Sequence, residues 1–163
     1  MKQAVLISIK PEWCRLIASG KKTIELRKTK PRLKPPFKCY IYQTLPKWGD
    51  WNDQDGHVIG EFICDDIIED EHGEYADWFA KQGCVPLDEQ KKYAPNGSIY
   101  GWLITRVKIY DAPKKVSDFK RWNRTEENAP CAHVKWLFPP CESCKDCNLK
   151  RPPQSWCYVE ELK

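Results

Sequence analysis

Two groups of residues in this 163-residue chain have the types and spacing to do chemistry. The first is Lys22, Glu25 and Arg27, with Lys10 upstream. A carboxylate accepts from an exocyclic amine, an ammonium or guanidinium donates to a carbonyl or phosphate, and a nucleobase edge presents both kinds of partner. The plainer reading is that Glu25 and Arg27 share a strand face as an ion pair, worth about 0–1 kcal/mol if exposed. The second group is cysteine: Cys141, Cys144 and Cys147 stand at two-residue gaps, with Cys131 and His133 upstream and Cys157 downstream. Zn2+ takes four sulfur or nitrogen ligands in a tetrahedron, and a Cys-x-x-Cys pair chelates it from a tight turn. Cys131, Cys141, Cys144 and Cys147 would close a structural zinc site, with His133 or Cys157 as substitutes for Cys131. An iron–sulfur cluster needs a fourth Cys just before a proline, where this chain has Arg151. A loop of reduced thiols without metal is the remaining reading. A metal here would couple binding to folding of a segment poor in apolar residues, and no catalytic role is expected of it.

The elements that must position these groups follow from periodicity. Residues 4–10 alternate, with Val5, Ile7 and Ile9 on one face and Leu6, Ser8 and Lys10 on the other, which predicts a strand buried on one side and turning polar on the other. Pro11 then opens a helix, Trp13, Leu16 and Ile17 fall at helical spacing, and Gly20 stops it. Residues 23–27 alternate again, so Ile24 and Leu26 face a core while Thr23, Glu25 and Arg27 share the other face. Strands are expected over 37–44, 58–64, 98–110 and 155–161, with Gly101 a bulge or bend and Pro113 ending the fifth. Residues 46–56 read as a turn carrying Trp48 and Trp51. A short helix should place Tyr75, Trp78 and Phe79 on a core stripe, and Ser117 or Asp118 should cap another carrying Phe119 and Trp122. Six strands with few short helices predict an α+β domain built on a small, partly open β-barrel with peripheral helices. One domain spans 1–163, with a cysteine-rich insert at about 130–150.

Composition sets the boundaries of function. Apolar residues make up 41% and charged residues 31% of the chain, enough for a real core. The longest uncharged apolar run, 4–9, is far short of the roughly 20 residues a bilayer span needs, and without a small-residue cleavage site after it a signal peptide is not expected. Nine cysteines are an odd count, so free thiols plus a metal site fit better than a disulfide framework, and a cytoplasmic location is expected. Cys14, Cys39, Cys64 and Cys84 sit singly among apolar neighbours, as small buried hydrophobes do. The net charge of +4 is segregated: residues 21–38 hold eight Lys or Arg against Glu25 alone, and residues 51–80 hold ten acids and no Lys or Arg. A positive face favours polyanions through counterion release, although a solvated Pro-rich loop would have the same composition. The acidic strip from Asp53 to Asp77 leaves a protein-binding role open on charge alone.

The runs Leu6-Ile-Ser-Ile-Lys-Pro11, Gly20-Lys-Lys-Thr-Ile-Glu-Leu-Arg27 and Tyr100-Gly-Trp-Leu-Ile-Thr-Arg-Val107 together resemble the ASCH domain of the PUA-like superfamily. The ending Pro153-Gln-Ser-Trp-Cys-Tyr-Val159 is similar to that of ASCH proteins of phages and Gram-positive bacteria. The resemblance implies a pseudo-barrel with a cleft beside the first helix, and a binding partner that is RNA, DNA or a modified nucleoside. It also implies that the last strand lies alongside, so that Gln154 offers an amide and Trp156 a stacking surface worth about 1–3 kcal/mol per base; buried core is the other reading of Trp156. Some small relatives are amidohydrolases on N4-acylated cytidine, using a lysine, a threonine nucleophile three residues later and a distant glutamate. Lys22 matches the lysine, but the nucleophile position is Glu25 and Thr23 falls beside it. Lys22 and Glu25 could still do acid–base chemistry, yet the pattern favours binding at Lys10, Lys22, Glu25, Arg27, Gln154 and Trp156.

Overall fold

The structure, a computed structural model, describes residues 2–46, 52, 55–95, 98–122 and 148–162. Its strands are β1 (Gln3–Ile9), β2 (Ile24–Arg27), β3 (Phe37–Gln43), β4 (Val58–Asp70), β5 (Ile99–Lys114) and β6 (Trp156–Glu160). They form one mixed sheet in the order β2-β5-β4-β3-β1-β6, antiparallel except for the parallel β1–β3 pair. Among the described residues three short helices decorate it: α1 (Pro11–Ala18), α2 (Ala76–Gly83) and α3 (Leu87–Tyr93). This is the expected α+β architecture. The sheet curls so that its two edges approach: Arg27 at the end of β2 reaches Ser155, the residue before β6, with Nη1 donating to Oγ at 3.3 Å.

The curl encloses one core and leaves a second outside it. Val5, Ile7 and Ile9 pack inward with Cys14 and Ile17 of α1, Cys39, Phe62, Cys64 and Trp102. Ala4 and Leu6 pack the opposite way, with Tyr40, Val58, Phe119, Leu149 and Val159. The expectation that β1 turns one face polar is therefore corrected. The strand lies between parallel β3 and antiparallel β6, and both its faces are covered, as parallel pairing favours. A third cluster joins Ile24 and Leu26 of β2 to Phe79 of α2. Gly101 of β5 makes this contact possible, because a Cβ there would sit 2.5 Å from the Phe79 ring.

Other boundaries also move. β4 continues through the acidic residues to Asp70, pairing with β5 through three register shifts, and β5 runs past Pro113 to Lys114. Only a 3-10 turn, Val116–Asp118, stands where a helix was expected to carry Phe119 and Trp122; Phe119 is nonetheless fully buried. Of the aromatic stripe near α2, Phe79 is buried whereas Tyr75 and Trp78 are exposed. Trp48, Trp51, and the cysteine-rich insert with Cys131, His133, Cys141, Cys144 and Cys147 lie outside the described residues. No helix among the described residues is long and apolar enough to cross a membrane.

Candidate nucleobase site

Helix α1 and the turn after it bring the end of β1 and the start of β2 to one end of the sheet. Lys22 precedes β2, and alternation along that strand puts Glu25 and Arg27 on the same side. The three side chains meet. Glu25 Oε1 lies 2.9 Å from Arg27 Nη2, and Glu25 Oε2 lies 3.4 Å from Lys22 Nζ. Lys22 also donates to the Gly83 carbonyl at the C-terminus of α2, and its ammonium sits 5.1 Å from the centre of the Trp13 ring. Arg27 Nη2 donates to Ser8 O of β1 at 2.6 Å. The triad thus ties β2 to β1, to the approach to β6 and to α2. All three side chains are less than one-tenth exposed, and Arg27 Nε is buried with no partner among the described residues. Two cations share one carboxylate, so a net positive charge is held in a poorly hydrated place.

This cluster forms the floor of a cleft of about 820 Å3. Trp13 of α1 contributes to one wall, and α3 contributes Glu89, Gln90 and Tyr93. Lys10 lies on the exposed rim, 3.9 Å from Glu12, and Gln154 lies on the rim beside Ser155. Of the six residues expected to line a base site, five therefore surround one hollow. Trp156 does not line it. Its ring packs on Trp102 and Tyr158 at 6.0 and 5.3 Å, and its Nε1 donates to Thr29 Oγ1 at 3.0 Å, so packing accounts for it.

The α3 wall escaped sequence reading. Leu87–Tyr93 has no apolar stripe, and its buried residue is the polar Gln90. Gln90 docks the helix by donating from Nε2 to Ala76 O at 3.1 Å and Val85 O at 2.9 Å, which leaves its side-chain carbonyl as the group still able to accept. Desolvation raises the pKa of the Tyr93 hydroxyl, keeping that ring neutral. The signal available beforehand was Pro86 followed by Asp88 and Glu89, a helix-start pattern.

The basic stretch is less basic than its composition. Besides Lys22 and Arg27, Lys30 pairs with Glu69 at 2.6 Å, and Lys38 reaches Glu161 at 3.0 Å and Glu61 at 3.4 Å. Lys21, Lys28, Arg32 and Lys34 remain exposed without a carboxylate partner among the described residues. Thr23, the hydroxyl nearest to the amidohydrolase nucleophile position, donates to Gln82 Oε1 at 2.7 Å and does not line the cleft. Cys14 and Cys39 are fully packed and Cys64 likewise; burial pushes the Cys64 thiol up to about 12 and raises those of Cys14 and Cys39 as well. Cys84 is only half-buried, and Cys157 is half-buried against the second core, where desolvation raises its thiol too. Among the described residues no three metal-ligating side chains cluster.

Comparison with known proteins agrees with this fold. The chain is similar to the solved ASCH protein of Zymomonas mobilis at 18% identity and a TM-score of 0.65, covering 97% of this chain and 88% of that one. A mutant form of the same protein gives 17% identity, a TM-score of 0.65, and 97% and 89% coverage. A second mutant form gives 19%, 0.54, 71% and 77%. No curated protein matches. The ASCH domain family matches residues 7–147, which include Lys22, Glu25, Arg27 and the α3 wall, and the chain belongs to that family.

Proposed function

We propose that this chain is a binding module that takes a nucleobase, free or within a nucleic acid, into the cleft between α1 and α3. The observation that carries the reading is the buried Lys22–Glu25–Arg27 triad at the floor of an open cleft of about 820 Å3, roomy enough for a nucleoside. A buried ionic cluster is a poor way to gain stability, since apolar residues of similar volume do as well or better. Its position under an open cleft gives it a use: donors for the acceptor groups of a base. Trp13 and Tyr93 supply flat surfaces, and Gln154 an amide for the exposed edge. Glu25 is committed to two cations, so its main part is to hold them in place.

A cytoplasmic setting and a structural zinc at Cys131, Cys141, Cys144 and Cys147 complete the reading; both rest on cysteine usage and spacing. The second reading, hydrolysis of an N4-acylated cytidine or a related nucleoside, draws on the 3.4 Å approach of Lys22 to Glu25 within the cleft. It lacks the hydroxyl nucleophile, because Thr23 is turned to Gln82. Fluorescence anisotropy with labelled single-stranded RNA and DNA, competed by free nucleosides, tests binding. Affinity should weaken with salt and with Gln154→Ala. Affinity indifferent to both overturns the proposal, and turnover of an acylated cytidine abolished by Lys22→Ala would replace it with the hydrolase.

A further inference from the structure

Resting on that reading, the geometry points to Tyr93 as the stacking platform of the cleft and to Lys28 behind it as the first phosphate contact, so that the ligand is an unpaired nucleotide within a strand.

Tyr93 is the last residue of α3, lines the cleft, and leaves 38% of its surface exposed. A neutral aromatic ring left partly uncovered at the mouth of a polar hollow is what a base can stack on. The ring is already held from one side, since Lys28 Nζ lies 4.7 Å from its centre. Lys28 directly follows Arg27, so strand alternation sends the Arg27 guanidinium to the cleft floor and Lys28 outside. Tyr93 therefore stands between a cation that meets the base and a cation that meets solvent.

The unpaired cations continue outward from that point. Past Arg27, Lys28, Arg32 and Lys34 are the exposed cations without a carboxylate partner among the described residues, Lys30 and Lys38 being neutralised by Glu69, Glu61 and Glu161. The segment that carries them is pinned: Arg32 N donates to the Tyr158 hydroxyl at 2.6 Å, and Trp156 Nε1 to Thr29 Oγ1 at 3.0 Å. A free nucleoside brings nothing for these cations. A paired base cannot reach the ring without leaving its stack. A single strand supplies both a base for Tyr93 and flanking phosphates for Lys28, Arg32 and Lys34.

The test is anisotropy of labelled single-stranded ten-residue RNA and DNA probes, with a duplex of the same sequence and the four nucleosides as competitors. At least one single strand should bind more tightly than duplex or nucleoside. Tyr93→Phe should retain that affinity, and Tyr93→Leu, which keeps bulk but loses the ring, should lower it about tenfold. Lys28→Gln should lower the slope of log affinity against log salt by about 1. Melting curves of each variant separate misfolding from lost contact. Wild-type affinity in Tyr93→Leu, or nucleosides binding as well as the strand, overturns this inference while the cleft reading stands. Absence of binding by strand and nucleoside alike overturns both.

Discussion

Replacing Glu25 by Gln keeps the shape of the cleft floor and removes the charge that balances it. At an effective dielectric of about 20, each of the 2.9 and 3.4 Å contacts carries an attraction of about 5–6 kcal/mol before desolvation is counted. The measurable loss is smaller, because the charges also regain some hydration: removing one partner of a buried pair costs about 3–5 kcal/mol. In a chain of this length each kcal/mol moves the melting temperature by about 2–4 °C, so Glu25→Gln should melt roughly 10 °C below wild type. Calorimetry in low and high salt is the assay. The deficit should persist at high salt, because the charges lie out of reach of the ionic atmosphere. Adding Lys22→Met to Glu25→Gln should recover part of it by removing one of the two stranded cations. Breaking the exposed Lys30–Glu69 pair serves as the contrast and should barely change melting. A Glu25→Gln protein that melts with wild type, or whose deficit vanishes in salt, would refute the claim that the triad is a buried, charge-coupled unit.

Three further outcomes follow, two from the structure and one from the spacing of the cysteines. Gly101→Ala drives a Cβ to 2.5 Å from the Phe79 ring, and the shift it forces on α2 should cost about 1–3 kcal/mol in denaturant unfolding; a neutral change would mean α2 is not pressed onto β5 there. Stability should fall as pH rises above about 9, where unfolded thiols ionise while Cys14, Cys39 and Cys64 stay protonated in the folded protein; the proton-richer native state loses ground with each further rise, and a flat profile from pH 8 to 11 would contradict the thiol burial. Untagged protein should carry about one equivalent of zinc, and under about 0.3 equivalents would remove the zinc proposal.

How much could be read beforehand depended on what held each element in place. β1, α1, β2, β3 and β6 are short runs rich in apolar, aromatic or β-branched residues and bounded by Gly, Pro or polar stretches, and their positions follow from that within a residue or two. α3 has no such period because a glutamine amide, bonded to two carbonyls, docks it in place of an apolar stripe. The sequence pattern ends β4 at Cys64 because the following residues are acidic, yet these can be solvated or paired from an outer strand face, as Glu69 is by Lys30 and Tyr100. The triad was legible from strand alternation and the helix between Lys10 and Lys22. Its near-complete burial was not, because that depends on Gly83, Ser8 and Ser155 arriving from elsewhere in the chain. Trp156 shows the reverse case: a residue with the right chemistry whose ring the second tryptophan, Trp102, claims for packing.

The central claim is that nucleic acid enters the hollow between α1 and α3, and the most direct measurement is ultraviolet cross-linking to a single-stranded probe followed by mapping of the modified peptides. Adducts should concentrate on residues 10–13, 89, 90, 93 and 154–155, which surround the cleft. Adducts confined to the face carrying Tyr75 and Trp78, or spread evenly over the exposed cations, would contradict it.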